Sequence, residues 1–380
     1  MDRSVEELFI NDYNIQVENK LVELIESKSG ITFDSSKRKE LKNDLMPLME
    51  DLNIYSFIQY YDYLVSKHGA QEMIRLINMV TVNETYFFRL DDHFTLLKTV
   101  VIPEILAQNS GENHPPNLHQ QPFRTIRIWC AGCSSGEEVY SIAIHLMELK
   151  REYALDFDFM IYGTDINSDM ISVAEKGVYR GRTLNQVPKP ILEEYFIRQG
   201  DEYTISRTLR QKTAFFYLNL KEDFCEEFDS PLDIVFYRNV FIYFSRETNI
   251  RIIENFYRIL GNESYLFLGP SESLWNISDR FVLRMYKNSY MYHKTEHADR
   301  DKNKTSLPLI FNRDGQDFLM GDAAPVQFEL DELPDDSNIT ETGQLVNPPN
   351  KTSESRLNNG VRTSLTMNID SLARARDLVD

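Results

Sequence analysis

This chain is poor in the residues that would suit it to the outside of a cell or to nucleic acid. Three cysteines in 380 residues are too few for a disulfide framework, so stability has to come from packing. No apolar run approaches the roughly 20 residues that span a bilayer. The opening MDRSVEELFIND lacks the basic and then apolar order of a secretion signal. Positive charge is also scarce: 41 Lys and Arg stand against 59 Asp and Glu, a formal net charge of −18. That balance favours solubility and argues against binding nucleic acid through its phosphates. A reducing cytoplasm is the expected location. What is plentiful is hydrophobic sequence, at 42%, enough for one large core or two modest ones.

Composition divides the chain into three. Residues 1–90 read as an all-α domain, with Leu21, Leu24 and Ile25, then Leu41, Leu45, Leu48 and Leu52, at helical spacing. Gly30 can close the first helix and Asp34 or Ser35 can cap the second. A helix around Asp92–Leu106 leads into a polar loop rich in Pro, Asn, Gly and Gln. Within a catalytic domain expected at 91–295, short apolar strands alternate from Arg124 to Lys294 with helices at Glu137–Arg151, Ser168–Glu175 and Arg246–Leu260. This pattern predicts an open, mainly parallel α/β sheet covered on both faces. A small β-subdomain is expected at about 185–213. Residues 296–380 lack periodicity and carry DELPDDSNITETG and NPPNKTSES, which reads as a disordered acidic tail with one short helix possible at Ser371–Val379.

The chemistry begins at the first strand, which runs through IWCAGCSSGEE (128–138) into a helix. Glycines at the carboxyl end of such a strand let the backbone approach a ligand closely. The turn departs from the dinucleotide G-x-G-x-x-G pattern, and Glu137 and Glu138 stand where a pyrophosphate would need positive potential. A cationic ligand suits it better, and S-adenosylmethionine has both an ammonium and a sulfonium. YGTDIN (162–167) then ends a second strand with Asp165, whose carboxylate can accept from both ribose hydroxyls; alternatively, Asp165 caps the next helix. The Cys130/Cys133 spacing would suit a redox dithiol or half a zinc site. No second pair completes one, so no metal is expected and the cysteines read as packing residues.

Seven motifs occur in order: VTVNETYFFR (80–89), the glycine turn with GEEVYSIAI, GTDIN, GVYRGR (177–182), YLNL (217–220), FYRNVFIYF (236–244) and LFLGPSESL (266–274). Together they closely resemble the chemotaxis receptor methyltransferases, the CheR family, over about 15–294. The resemblance implies a Rossmann-like S-adenosylmethionine-dependent methyltransferase sheet with an inserted small β-subdomain, preceded by an all-α domain. It implies methyl transfer from S-adenosylmethionine to glutamate carboxylates of chemoreceptors, leaving S-adenosylhomocysteine. Asn83, Thr85, Arg89, Glu138, Asp165, Asn219, Leu220, Tyr237, Arg238 and Asn239 would contact the cofactor. Arg89 and Tyr243 would stand at the reacting centre. Read without the family, Leu220, Tyr237 and Tyr243 could be core residues, and Arg89 and Arg238 surface ion pairs.

The resemblance also implies a partner, the cytoplasmic helical region of chemoreceptors. Lys37, Arg38, Lys39 and Lys42 would dock its acidic helices, although Asp44, Glu50 and Asp51 replace the arginines that family members often carry in the later turns. Some members hold a receptor's C-terminal peptide on an extended loop of the β-subdomain. The compact turn at Gln199-Gly200-Asp201 predicts recognition without that tether. A monomer recruited to receptor arrays is expected. The competing readings are a methyltransferase for a non-receptor carboxylate, a non-catalytic signalling module of the same fold, and a dinucleotide-dependent oxidoreductase, which Glu137 and Glu138 disfavour.

Overall fold

The computed structural model describes residues 9, 12–108, 123–286 and 289–295, together with two short paired strands, Ile310–Phe311 and Asp317–Phe318. Most of the tail expected to be disordered, including the helix at 371–379, lies outside the described residues.

Four helices come first: α1 (Ile15–Ser29), α2 (Ser35–Asp51), α3 (Phe57–Val65) and α4 (Ala70–Val80). Their ends follow from local chemistry. Asn14 Oδ1 accepts from Gln16 and Val17 N–H to start α1, and Gly30 ends it at φ 80°, a conformation glycine adopts without a Cβ clash. Asp34 caps α2 by accepting from Ser36 and Lys37, satisfying amides that have no partner inside the helix. Leu21, Val22, Ile25, Leu41, Leu45 and Leu76 close this domain's core, each contributing about 1.5–3 kcal/mol on burial. The helix expected at Asp92–Leu106 is built in three pieces: α5 (Asp91–Leu96), a π-helical turn (Leu97–Val101) and α6 (Ile102–Ala107). Periodicity alone does not register such a one-residue widening.

The sheet takes β1 (Thr125–Ala131), β2 (Asp158–Asp165), β6 (Thr213–Tyr217), β7 (Leu232–Tyr237) and β8 (Leu260–Leu268) as parallel strands. Antiparallel β9 (Val282–Tyr286) and β10 (Ser289–Lys294) complete the order β6-β2-β1-β7-β8-β10-β9. Strand alternation divides β1 between two cores. Ile126, Ile128 and Cys130 pack with α7 (Glu137–Tyr153) and α5–α6. Trp129 and Ala131 face α11 (Arg246–Ile259), with the Trp129 indole N–H donating to Thr164 Oγ1 at 3.0 Å. After β2 come α8 (Ser168–Lys176) and a three-stranded antiparallel sheet of β3 (Val178–Tyr179), β4 (Phe196–Gln199) and β5 (Glu202–Ile205), with α9 (Lys189–Tyr195) before β4 and α10 (Arg207–Arg210) after β5. Its first strand lies ahead of the expected start at 185. Gln199 pairs with Glu202, so the β4–β5 turn is the two residues Gly200 and Asp201. Among the described residues no helix is long and apolar enough to cross a membrane.

Candidate active site

The chain runs outward from β1 through β2 to β6, then returns to β7 on the other side of β1. Ligands in open α/β sheets bind at such a reversal, beyond the carboxyl ends of the strands. A cavity of about 270 Å³ opens there. It is walled by Gly132–Ser134 after β1, Asp165 at the end of β2, Leu218–Leu220 after β6, and Arg238–Val240 after β7. The arm before α5 and the start of α2 cover it.

Two glycines permit this approach. Gly132 has φ +81°, and a Cβ there would lie 2.4 Å from Val240 Cγ2. Gly136 starts α7 at φ +90°, with a Cβ position 2.8 Å from Ala174. The two glutamates that follow part company. Glu138 lines the cavity, whereas Glu137 is only 3% exposed and accepts from Ser135 Oγ and Thr183 Oγ1, both at 2.7 Å. Of the expected acidic pair, only Glu138 therefore faces a ligand; the helical step sends Glu137 inward. Asp165 also lines the cavity. It does not cap α8: Asn167 does, accepting from Asp169 and Met170 N–H. Instead Asp165 Oδ2 accepts from Ser134 N–H at 2.8 Å and Oδ1 from Asn167 N–H at 2.9 Å. An ionised carboxylate can accept about four hydrogen bonds, so these two do not exhaust it. Burial raises the Asp165 pKa, and the N–H groups of Asn167, Ser134 and Ile166 oppose it. The free carboxylate lone pairs and the Glu138 charge suit a ligand bearing hydroxyls and positive charge.

The arm carries Asn83, Thr85 and Arg89 to the cavity wall. Phe88 and Leu90 bracket Arg89 with φ of 60° and 63°; positive φ at bulky residues costs of order 1–3 kcal/mol each and persists only when the surroundings impose it. Here Phe88 N–H donates to Ser141 Oγ at 2.9 Å and Phe87 N–H to the Thr183 carbonyl at 3.1 Å. Arg238 holds the arm from below. Its Nη2 donates to the Arg89 carbonyl at 2.6 Å, its Nε lies 3.3 Å from Glu138 Oε2, and its guanidinium faces the Phe94 ring at 5.6 Å. The Arg238 side chain is 1% exposed. The sequence alternative of a surface ion pair therefore does not describe it.

Tyr243 closes the mouth with Ile242, at the end of a 3₁₀ turn, Phe241–Tyr243. Burial pushes its phenol pKa up, and nearby Arg89 pulls it back. The helical domain grips it directly. Thr32 donates from N–H at 2.8 Å and from Oγ1 at 3.1 Å to the Tyr243 carbonyl, and the Lys37 ammonium stands 4.7 Å over the ring. Burial holds the Lys37 pKa below the ordinary lysine range, with Asp34 opposing. Of the four basic residues at the start of α2, only Lys37 reaches the cavity; Arg38 instead bonds Asn19 at 2.9 Å on α1. Asn219 and Leu220 line the cavity, the Asn219 amide donating to the Lys28 carbonyl at 2.8 Å. Tyr237 does not join them. Strand alternation places it in the core beside Val235, its hydroxyl donating to Asn249 Oδ1 at 2.9 Å. The cavity also contains Ser134, Ile166 and Ile242, which carry no distinguishing signal in the sequence. Cys130 and Cys133 are buried, and burial pushes both thiols well above their usual pKa. No cluster of potential metal ligands occurs among the described residues.

Comparison with known proteins gives two family matches. Residues 83–289 match the CheR methyltransferase SAM-binding domain, and residues 19–81 match the CheR methyltransferase all-alpha domain. Chemotaxis protein methyltransferase 2 of Vibrio cholerae is 32% identical over 276 residues, covering 72% of this chain and 91% of that protein. The chemotaxis protein methyltransferase of Borreliella burgdorferi is 29% identical over 271 residues, 70% of this chain and 92% of that one. The Escherichia coli protein of the same name is 30% identical over 271 residues, 70% and 87% respectively.

Proposed function

The chain belongs to the CheR methyltransferase family, and from that premise we propose that it methylates glutamate side-chain carboxylates of chemoreceptors. S-adenosylmethionine is the cofactor of this family's catalytic domain, and it supplies an electrophilic methyl group on a positively charged sulfur. Glu138 and Asp165 are the carboxylates that would hold its polar ends, and Asn219 and Leu220 would flank its base.

The observation that carries the acceptor assignment is that Arg89 and Tyr243 line the same cavity. A glutamate side chain ordinarily titrates at about 4.3, so the acceptor is already ionised at neutral pH. It needs no general base: a carbon–oxygen bond forms as the carbon–sulfur bond breaks, both charges are neutralised, and no proton moves. The protein is left to align the reacting atoms and exclude water. Arg89 and Tyr243 orient the acceptor carboxylate and transfer no proton.

Labelled S-adenosylmethionine incubated with receptor cytoplasmic fragments should deposit base-labile methyl esters; no label on any fragment would sink the acceptor assignment. Arg89→Ala should lower kcat/KM about 10–100-fold and Tyr243→Phe about 3–10-fold, from the loss of one charge-assisted and one neutral contact. Wild-type kcat and KM in both variants would refute their roles. The two-residue Gly200-Asp201 turn supports recognition without a receptor tether. Accordingly, a receptor's C-terminal pentapeptide should show no saturable binding below millimolar concentration in calorimetry, and tight, selective binding would overturn this.

A further inference from the structure

One buried carboxylate does not line the cavity itself but bonds the backbone of a residue that does. Glu272, on the loop after β8, is 3% exposed and is absent from the cavity wall. Its Oε2 accepts from Gly269 N–H at 2.6 Å and from Asn239 N–H at 3.0 Å, and the Ile242 N–H also favours its ionised form. Asn239 has φ +60°, a left-handed conformation that a side-chain-bearing residue keeps only when its surroundings hold it. From Asn239 the chain passes through Val240, which packs on Gly132, to Ile242 and Tyr243 on the cavity wall. The loop carrying Glu272 has its own anchor, since the Tyr290 hydroxyl lies 2.7 Å from both the Gly269 and the Glu272 carbonyls. The Glu272 carboxylate also ties its own loop at Gly269 and reaches the turn across from it at Asn239.

We propose that Glu272 is a positioning residue for methyl transfer. Its carboxylate, seated on Gly269, locks Asn239 in the left-handed conformation and so sets the turn that places Val240 against the glycine turn and Tyr243 at the mouth. This rests on the cofactor assignment and on the role proposed for Tyr243. Burying an ionised carboxylate is unfavourable unless donors and a cation compensate; burial pushes the Glu272 pKa up, and the backbone N–H groups and Arg238 oppose it only in part.

The test uses the full chain with three variants: Glu272→Ala, Glu272→Gln and Gly269→Ala. The last lies off the cavity wall; its Cβ would stand 2.7 Å from Glu272 Oε2 and 3.2 Å from Asn239 N, so it displaces the carboxylate and presses on the turn as well. Glu272→Ala should raise the Kd for S-adenosylhomocysteine about tenfold and lower kcat further, because the turn serves both partners. Glu272→Gln keeps an acceptor oxygen and should recover most of both losses, and Gly269→Ala should reproduce the alanine pattern. Folded variants with parental Kd and kcat, even with a lower Tm, would overturn the proposal by reducing Glu272 to a structural anchor. If Glu272→Ala fails to fold, the other two variants decide by the same criteria. Failure of the parent protein to methylate receptors would sink the acceptor reading and leave the S-adenosylhomocysteine comparison standing.

Discussion

Replacing Asp165 with alanine should weaken S-adenosylhomocysteine binding by about 100-fold, corresponding to roughly 3 kcal/mol. The residue ends β2 with both oxygens already engaged by Ser134 and Asn167 N–H. These two bonds fix the carboxylate against the glycine turn at the cavity wall. Two hydrogen bonds from ribose hydroxyls to a charged acceptor, at about 1.5–3 kcal/mol each, account for the loss, and the freed Ser134 amide adds to it. Asp165→Asn should fall between. An amide has one acceptor oxygen, so it cannot serve Ser134, Asn167 and two hydroxyls together. Calorimetric titration reads all three proteins directly. An alanine variant that binds within threefold of the parent would remove Asp165 from the cofactor site.

Arg238→Met should cost both stability and turnover, and a second substitution should restore only the first. Arg238 is a buried cation paired with Glu138, and its Nη2 donates to the Arg89 carbonyl. Removing one partner of a fully buried pair costs about 3–5 kcal/mol. The Glu138 side chain is 19% exposed, so water screens part of that charge and about 2–3 kcal/mol is expected. For a domain of this size the corresponding fall in Tm is about 4–10 °C. Turnover should fall about 100-fold, because the arm that presents Arg89 loses its tether and a displacement of about 1 Å can cost that much. Arg238→Met/Glu138→Gln removes both charges and should regain most of the Tm while turnover stays low. If turnover returned together with Tm, Arg238 would be a stabilising residue only, with no part in holding the arm.

Several elements of the site were legible because their signals are local. Gly132 and Gly136 announce a turn, Gly30 and Asp34 or Ser35 mark helix ends, and alternating apolar strands and helices announce the sheet. Asp165 could be named because it ends a strand, where an open sheet exposes its ligand crevice; Asn219 is named only through the family resemblance. The errors share a different cause. Glu137 and Glu138 are neighbours, yet one turns to Ser135 and Thr183 while the other reaches the cavity, because a single helical step rotates the side chain by about 100°. Tyr237 sits beside Arg238 on one strand edge and points to the opposite core for the same kind of reason, at a period of two.

By itself the sequence determined the order of helices and strands, the glycine turn, the acidic strand end and the family, all carried by contiguous residues. Only the tertiary structure decided who stands at the mouth. Thr32 and Lys37 reach Tyr243 across about two hundred positions of chain, Arg238 joins Glu138 to the Arg89 backbone, and Glu272 fixes Asn239. None of these contacts has a local signature, because each depends on how the helical domain, the arm and the loop after β8 pack against one strand edge. The glycine turn that makes room for a ligand can be read from neighbouring residues; the residues that would hold an acceptor there come together only when distant segments close over it.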